Sequence, residues 1–114
     1  MKIVLAIPAE DPSGLGALRS STITKAPYFA IVQLEAIGGM FLEGVKNTGS
    51  NDAEIIELLS AHGVDTVLTI GVGVDQALAF GEAGISVYRE TETKTVGDAG
   101  KAFEYSMHQA MLQD

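Results

Sequence analysis

Residues 64–73 read Val-Asp-Thr-Val-Leu-Thr-Ile-Gly-Val-Gly, an apolar segment of strand length that ends in two glycines. Its apolar residues predict a strand over residues 64–70 that is covered on both faces of a sheet. A helix carrying Leu78 and Phe80 is predicted next, over residues 75–83. A buried strand that leads directly into a helix is typical of α/β proteins with parallel strands.

The segments around this unit extend the same pattern. Asn51 and Glu54 predict a reciprocal capping box at the start of the preceding helix, which Gly63 ends. A strand is predicted over residues 85–89, and residues 95–98 form a second capping box that opens a final helix. This αβαβα order requires parallel strands with right-handed connections. The predicted apolar positions are Ile55, Ile56, Leu58 and Leu59 in the first helix and Ala99, Ala102, Phe103, Met107, Ala110 and Met111 in the last.

The first half of the chain supplies the other strands. Residues 3–7 are a continuous apolar run, which predicts a central strand beside residues 64–70. Residues 28–35 and 40–46 are two further strands. We expect them to form an antiparallel hairpin through Gly38-Gly39, because glycine allows the positive φ of a tight turn. The predicted fold class is α/β, with a mixed sheet and helices on both of its faces.

Composition narrows the class of protein. The 114 residues suit one domain spanning residues 1–114, and 46% hydrophobic residues is typical of a globular chain. No apolar run approaches the roughly 20 residues of a membrane helix, and residues 1–8 lack a signal-peptide pattern, so we expect a cytoplasmic protein with no membrane partner. The net charge of −8 argues against nucleic acid as a partner. The absence of cysteine excludes thiolate nucleophiles and thiolate metal sites.

The first candidate site is Gly71-Val72-Gly73, between a predicted strand and a predicted helix. Backbone amides at such a turn, together with the helix N-terminus, can bind an anion. Glu90 lies 19 positions after Gly71, where a dinucleotide-binding fold places its ribose-binding acid. The third glycine of that fingerprint would fall at Gln76 and is missing. A plain turn, an anion or ligand site and a dinucleotide site all remain open.

Two polar segments add further candidates. Residues 8–26 form a loop that is long for a small domain, and such loops are commonly functional; a solvated loop is the alternative. Residues 47–52 also follow a strand, with helix capping as the alternative. We expect residues 13–25, 47–52 and 71–75 to meet at one end of the sheet and form one site. Ligands of open α/β sheets bind outside the carboxyl ends of parallel strands, and the first and third of these loops follow such strands. The second strand of the hairpin, which precedes residues 47–52, need not obey this rule. The candidate binding residues are Ser21, Thr22, Thr24, Lys25, Asn47, Gly49, Gly71, Gly73 and Asp75.

The sequence contains no recognisable catalytic set. His62 is expected to complement a helix dipole, and His108 lies near the end of the last helix; neither has a second metal ligand at i+3 or i+4. The first strand carries no carboxylate for a two-metal nuclease site, and no serine lies in a nucleophile-elbow motif. We therefore expect no enzymatic activity.

Four blocks of sequence occur in a fixed order: KIVLAIP at residues 2–8, APYFAIV at 26–32, HGVD at 62–65 leading into GVG at 71–73, and GISVY at 84–88. In this order and spacing they resemble the dinitrogenase iron–molybdenum cofactor biosynthesis domain of nitrogenase accessory factors. The resemblance implies a three-layer α/β/α fold with a ribonuclease H-like motif. It also implies a five-stranded mixed sheet in which the first strand is central.

The resemblance further implies a small, non-catalytic carrier or scaffold for an iron–sulfur or iron–molybdenum cluster, which works with other cofactor-assembly proteins. Together with the candidate loops, it predicts a protein that binds a metallocluster or an oxyanion at one end of the sheet. The alternative is a nucleotide- or small-anion-binding regulatory module that uses Gly71-Val72-Gly73. Visible absorbance after anaerobic addition of a cluster distinguishes the two, because nucleotides contribute none.

Overall fold

The computed structural model describes residues 2–35 and 38–112, and the side chains of these up to residue 110. Within these residues the elements follow the predicted order. They are β1 (Ile3–Ala9), β2 (Tyr28–Leu34), β3 (Gly39–Lys46), α1 (Asp52–Ala61), β4 (Thr66–Thr69), α2 (Val74–Glu82), β5 (Ser86–Arg89) and α3 (Val96–Leu112). The strands form one sheet in the order β3-β2-β1-β4-β5. The prediction that β1 and β4 are neighbouring interior strands is confirmed.

The sheet is mixed, as predicted. β1 pairs antiparallel with β2 and parallel with β4, and β4 pairs parallel with β5. β4 is shorter than the apolar run that predicts it, because Val64 completes the exit from α1: its amide donates to the Leu59 carbonyl at 3.1 Å. Asp65 then joins β1 through a 3.1 Å hydrogen bond from its amide to the Val4 carbonyl.

Alternate residues of β1 pack against different layers, since successive strand side chains point to opposite faces. Val4 and Ala6 belong to a buried cluster that includes residues of α1 and α2. Leu5 and Ile7 belong to a second cluster that includes residues of α3. Both faces are buried, so the strand reads as a continuous apolar run. The predicted three-layer α/β/α arrangement is confirmed.

The connection between β2 and β3 differs from the predicted Gly38-Gly39 turn. Leu34 pairs with Gly39, so Gly39 belongs to the strand and residues 35–38 make the connection. Gly38 has the expected positive φ, 75°, and its carbonyl accepts a 3.2 Å hydrogen bond from the Glu35 amide. The middle of the connection, residues 36–37, lies outside the described residues.

The predicted caps are present, with one change of partner. Asn51 Oδ1 accepts from the Glu54 amide at 2.9 Å, as expected. Glu54 does not return to Asn51: its Oε1 accepts from the amide and the hydroxyl of Ser50 at 2.8 and 2.7 Å. The predicted reciprocal box is therefore shifted by one residue. At α3, Thr95 Oγ1 accepts from the Asp98 amide at 3.2 Å, but among the described residues no hydrogen bond from the Thr95 amide to Asp98 completes the predicted second box.

In α2 and α3 the buried faces are narrower than the sequence predicts. Phe80 is fully buried, whereas Leu78 is 60% exposed. Residues two apart lie on different sides of a helix, so α2 cannot bury both against one layer. In α3, Met107 packs against the core, but Ala110 is exposed. The predicted burial of Met111 concerns a side chain outside those described.

The first prediction compares two adjacent leucines of α1. Leu59 is fully buried, whereas Leu58 only packs against the edge of the core. Leu59→Ala is expected to lower the free energy of unfolding by about 2–5 kcal/mol, because it removes buried methyl groups and leaves a cavity. Leu58→Ala should cost roughly half of this or less, since less of its apolar surface leaves water on folding. Urea denaturation measures both, and equal losses would contradict this placement of the core.

Candidate functional site

Three candidate segments lie at the same end of the sheet. β1, β4 and β5 run towards this end, β2 begins there and β3 finishes there. Residues 20–26 lie before β2, residues 47–52 follow β3, and residues 71–76 follow β4. We call these three segments the loop site.

Gly71 joins the first and third segments. Its amide donates to the Ser21 carbonyl at 2.8 Å, and residues 22 and 71 form an isolated parallel bridge. A Cβ atom at Gly71 would lie 3.1 Å from the Ser21 carbonyl oxygen, so glycine permits this close approach. Thr22 Oγ1 in turn accepts from the Lys25 amide at 3.4 Å. The Gly71 amide, predicted as an anion ligand, therefore holds the site together.

Gln76 links all three segments. Its Nε2 donates to Thr24 Oγ1 at 2.9 Å and to Asp52 Oδ1 at 2.8 Å. The structure thus brings together the segments that contain the candidate binding residues, whereas Leu15 of the first predicted loop lies against Gly97 of α3. Neither Gln76 nor Asp52 was singled out as a site residue from the sequence. The only available signal was a polar side chain in the first turn of each of two successive helices.

Asn47 and Gly49 shape the second segment. Asn47 Nδ2 donates to the carbonyls of Ala26 at 2.8 Å and Thr24 at 3.4 Å, and Asn47 Oδ1 accepts from the Gly49 amide at 3.1 Å. A Cβ atom at Gly49 would lie 2.8 Å from Ile55 Cγ1 and 2.9 Å from the Ile55 amide nitrogen. The Asn47 side chain therefore fixes the backbone of residues 24–26 and 49. Gly49 allows the loop to lie close to α1.

The N-terminus of α2 is the part of the loop site with unused donors. Gly73 is the N-cap residue, in an extended conformation (φ −82°, ψ 159°), and within the described residues no side chain caps the helix there. The Ala77 amide bonds to the Gly73 carbonyl at 3.0 Å, so the amides of residues 74–76 precede the first intrahelical hydrogen bond. Exposed Lys25 follows Thr24, whose hydroxyl is bonded to the first turn of α2. Exposed Asp75 adds a negative charge to the same turn.

A buried ion pair supports the adjoining loops. Arg19 Nη1 lies 2.6 Å from Glu90 Oε1, and the two side chains are 1% and 16% exposed. Burial lowers the pKa of the Arg19 guanidinium, an effect that the negative charge of Glu90 partly offsets. Burial alone would raise the pKa of Glu90, but hydrogen bonds from Thr93 and the Glu92 amide, with the charge of Arg19, hold it below its ordinary value.

This arrangement changes the interpretation of Glu90. Its Oε1 accepts from Arg19 and from the hydroxyl of Thr93, and its Oε2 accepts from the Glu92 amide at 2.9 Å. Both carboxylate oxygens are thus bonded within the chain. The structure gives Glu90 a supporting role in place of the ribose-binding role that its spacing from Gly71 suggested.

The histidines lie apart from the loop site. His62 is the C-cap residue of α1, and its Nδ1 lies 3.4 Å from Glu43 Oε2; His108 is exposed on α3. In residues 2–35 and 38–112, no three side chains of His, Cys, Asp or Glu are grouped so that they could hold a metal ion. Among the described helices, none combines the length and apolar content needed to cross a membrane.

Comparison with known proteins identifies relatives of the whole fold. PH0822, known from a crystal structure, is 29% identical over 89% of each chain, with a TM-score of 0.75. The apo form of the orange protein from Desulfovibrio gigas is 26% identical, over 90% of this chain and 88% of that one, with a TM-score of 0.74. A NifB-like protein from Thermotoga, solved by NMR and placed in the DUF35 family, is 26% identical over the same shares, with a TM-score of 0.68. No curated protein is similar enough in sequence to count as a match.

A family profile gives the assignment. The profile described as "Dinitrogenase iron-molybdenum cofactor" matches residues 1–105. The match includes all five strands described above and the three segments of the loop site. The chain therefore belongs to the dinitrogenase iron–molybdenum cofactor family.

Proposed function

We propose that this chain is a non-catalytic carrier that binds an iron–molybdenum or iron–sulfur cluster, or a related metal oxyanion, as cargo at the loop site. The observation that carries the proposal is the N-terminus of α2, which no side chain of the described residues caps and which lies beside the segment that holds Lys25. Family membership supports the class of cargo. The nucleotide alternative has less support, because Glu90 is bonded within the chain.

The cargo binds as an anion, through the sulfide or oxygen atoms on its surface. The chain has no cysteine to supply thiolates, so the cluster arrives with its own sulfide or oxygen ligands. These ligands accept hydrogen bonds from the amides of residues 74–76, at the positive end of the α2 dipole. The ammonium group of Lys25 and the hydroxyl of Ser21, both on exposed residues, complete the predicted contacts.

Negative charge around the loop site weakens the hold on an anion. Asp75 lies in the first turn of α2, Asp52 lies in the first turn of α1, and the whole chain carries a net charge of −8. Reversible binding suits a carrier that passes its cargo to another cofactor-assembly protein. We place this exchange in the cytoplasm, without a nucleic-acid or membrane partner.

The direct test is anaerobic addition of isolated iron–molybdenum cofactor to the purified chain. After gel filtration, iron, molybdenum and the visible absorbance of the cofactor are expected to elute with the protein. A colourless protein fraction without metal would refute the carrier proposal. Calorimetric titrations with ATP and NAD serve as the parallel arm, and binding of a nucleotide without binding of the cofactor would support the alternative.

A further inference from the structure

A pocket lies on the α3 face of the sheet, and none of its lining residues is a candidate binding residue of the loop site. It has a volume of about 400 Å³ and lies between β2, α3 and the part of the β1–β2 loop in which Leu15 contacts α3. This volume falls within the range of small-molecule sites. The residues that matter here are Leu15, Val32, Leu34, Gly97, Gly100 and Glu104.

Two glycines of α3 line the pocket, and they differ in whether a larger side chain would fit at their positions. A Cβ atom at Gly97 would lie 3.1 Å from both the Cβ atom and the carbonyl oxygen of Leu15, so the close approach of loop and helix requires glycine. A Cβ atom at buried Gly100 would meet no heavy atom within 4 Å. Glycine inside a helix is less favourable than alanine. A larger residue would therefore fit at position 100, and the glycine there leaves part of the pocket empty.

The pocket combines apolar walls with a few polar and charged side chains. Val32 and Leu34 are buried and form the wall on the β2 side. Glu104 Oε2 is buried and, among the described residues, has no hydrogen-bond partner. A buried acceptor without a donor is costly and uncommon in folded proteins. The charged lining residues, Asp98, Lys101 and Glu104, give the pocket a net charge of −1.

We propose that this pocket binds a small organic amine. The apolar body of the ligand packs against Leu15, Val32 and Leu34, and its ammonium group pairs with the carboxylate of Glu104, which is one of the lining residues. The negative lining favours a cation over an anion of the same shape. This ligand class differs from the anionic cargo of the loop site, and the proposal is independent of the carrier function.

The test is calorimetric titration of the full chain with 2-phenylethylamine, with 3-phenylpropionate as the probe of similar shape and opposite charge. We expect the amine to bind at least about tenfold more tightly than the acid. Gly100→Leu is expected to abolish amine binding because its side chain enters the pocket. Gly81→Leu is the control, since Gly81 lies in α2 and its Cβ atom would also meet no heavy atom within 4 Å; it should bind like the parent.

A second variant keeps the test decisive should Gly100→Leu fail to fold by circular dichroism. Glu104→Gln preserves the shape of the side chain and removes its charge, and it is expected to weaken amine binding by about tenfold or more, as for loss of a charged hydrogen bond. Absence of amine binding by the parent, equal affinity for both probes, or undiminished binding by folded Gly100→Leu or by Glu104→Gln would each overturn the proposal.

Discussion

Gly73→Asp is expected to lower the affinity for the anionic cargo by at least about tenfold while the fold is preserved. The backbone of Gly73 is extended and its Cβ atom would meet no heavy atom within 4 Å, so a side chain fits without strain. Aspartate is also a favoured N-cap residue, so the variant should gain a few tenths of a kcal/mol in stability. Its carboxylate would accept hydrogen bonds from the amides proposed to bind the cargo, and its negative charge would repel an anion.

Gly73→Asn is the matched control for this variant. Asparagine caps a helix about as well as aspartate but carries no charge. Anaerobic titration with isolated iron–molybdenum cofactor, followed by visible absorbance, should rank the affinities as parent, then Gly73→Asn, then Gly73→Asp. Equal affinity of the parent and of folded Gly73→Asp would show that the cargo binds elsewhere.

Glu90→Ala is expected to destabilise the fold by about 3–5 kcal/mol, the range for removing one partner of a buried ion pair. The Arg19 side chain is 1% exposed, and within the described residues its Nε and Nη2 already have no hydrogen-bond partner. The variant leaves this cation buried without its counter-charge. Glu92→Ala, in the same loop but at an exposed position, should change stability by no more than about 0.5 kcal/mol. Similar urea midpoints for the two variants would contradict the supporting role of the ion pair.

The ion pair also predicts how stability depends on pH. The pKa of Glu90 is lowered in the folded chain, whereas a glutamate in an unfolded chain has a pKa of about 4.3. Its carboxylate therefore contributes stability that is complete above the unfolded pKa and is lost as the pH falls through the folded pKa. Urea denaturation between pH 7 and pH 3 should show a steeper loss in the parent than in Glu90→Gln. Parallel profiles would contradict this contribution.

The sequence predicts the fold well where a strand or helix has a strong local pattern. The buried runs of β1 and β4 and the caps at Asn51 and Thr95 are recovered, because each depends on a few neighbouring residues. The predictions that were wrong concern neighbouring residues that compete for the same hydrogen bond or for the same buried face. The Glu54 carboxylate accepts from Ser50 and not from Asn51 as predicted. Leu78 lies on the opposite side of α2 from Phe80 and is exposed. The ribonuclease H-like relationship stays a prediction from the family.

The arrangement of the site could be predicted only in outline. The rule for the carboxyl ends of parallel strands groups the first and third segments, since it depends on topology alone. It does not cover residues 47–52, which follow a strand of the hairpin. It could not identify Gln76, which reaches Asp52 across 24 positions and Thr24 across 52. Nor could it identify the partner of Glu90, which lies 71 positions away at Arg19. Such contacts depend on tertiary packing and leave no periodic signal in the sequence.

Binding of an anion at the N-terminus of α2 is the basis of the proposed function. The most direct measurement is a ¹H–¹⁵N correlation spectrum of the labelled chain, titrated with molybdate as a diamagnetic oxyanion and with sodium chloride at matched ionic strength. The largest shifts specific to molybdate are expected at the amides of Val74, Asp75 and Gln76, with smaller shifts around Lys25. Shifts that are largest elsewhere, or that chloride reproduces, would contradict it.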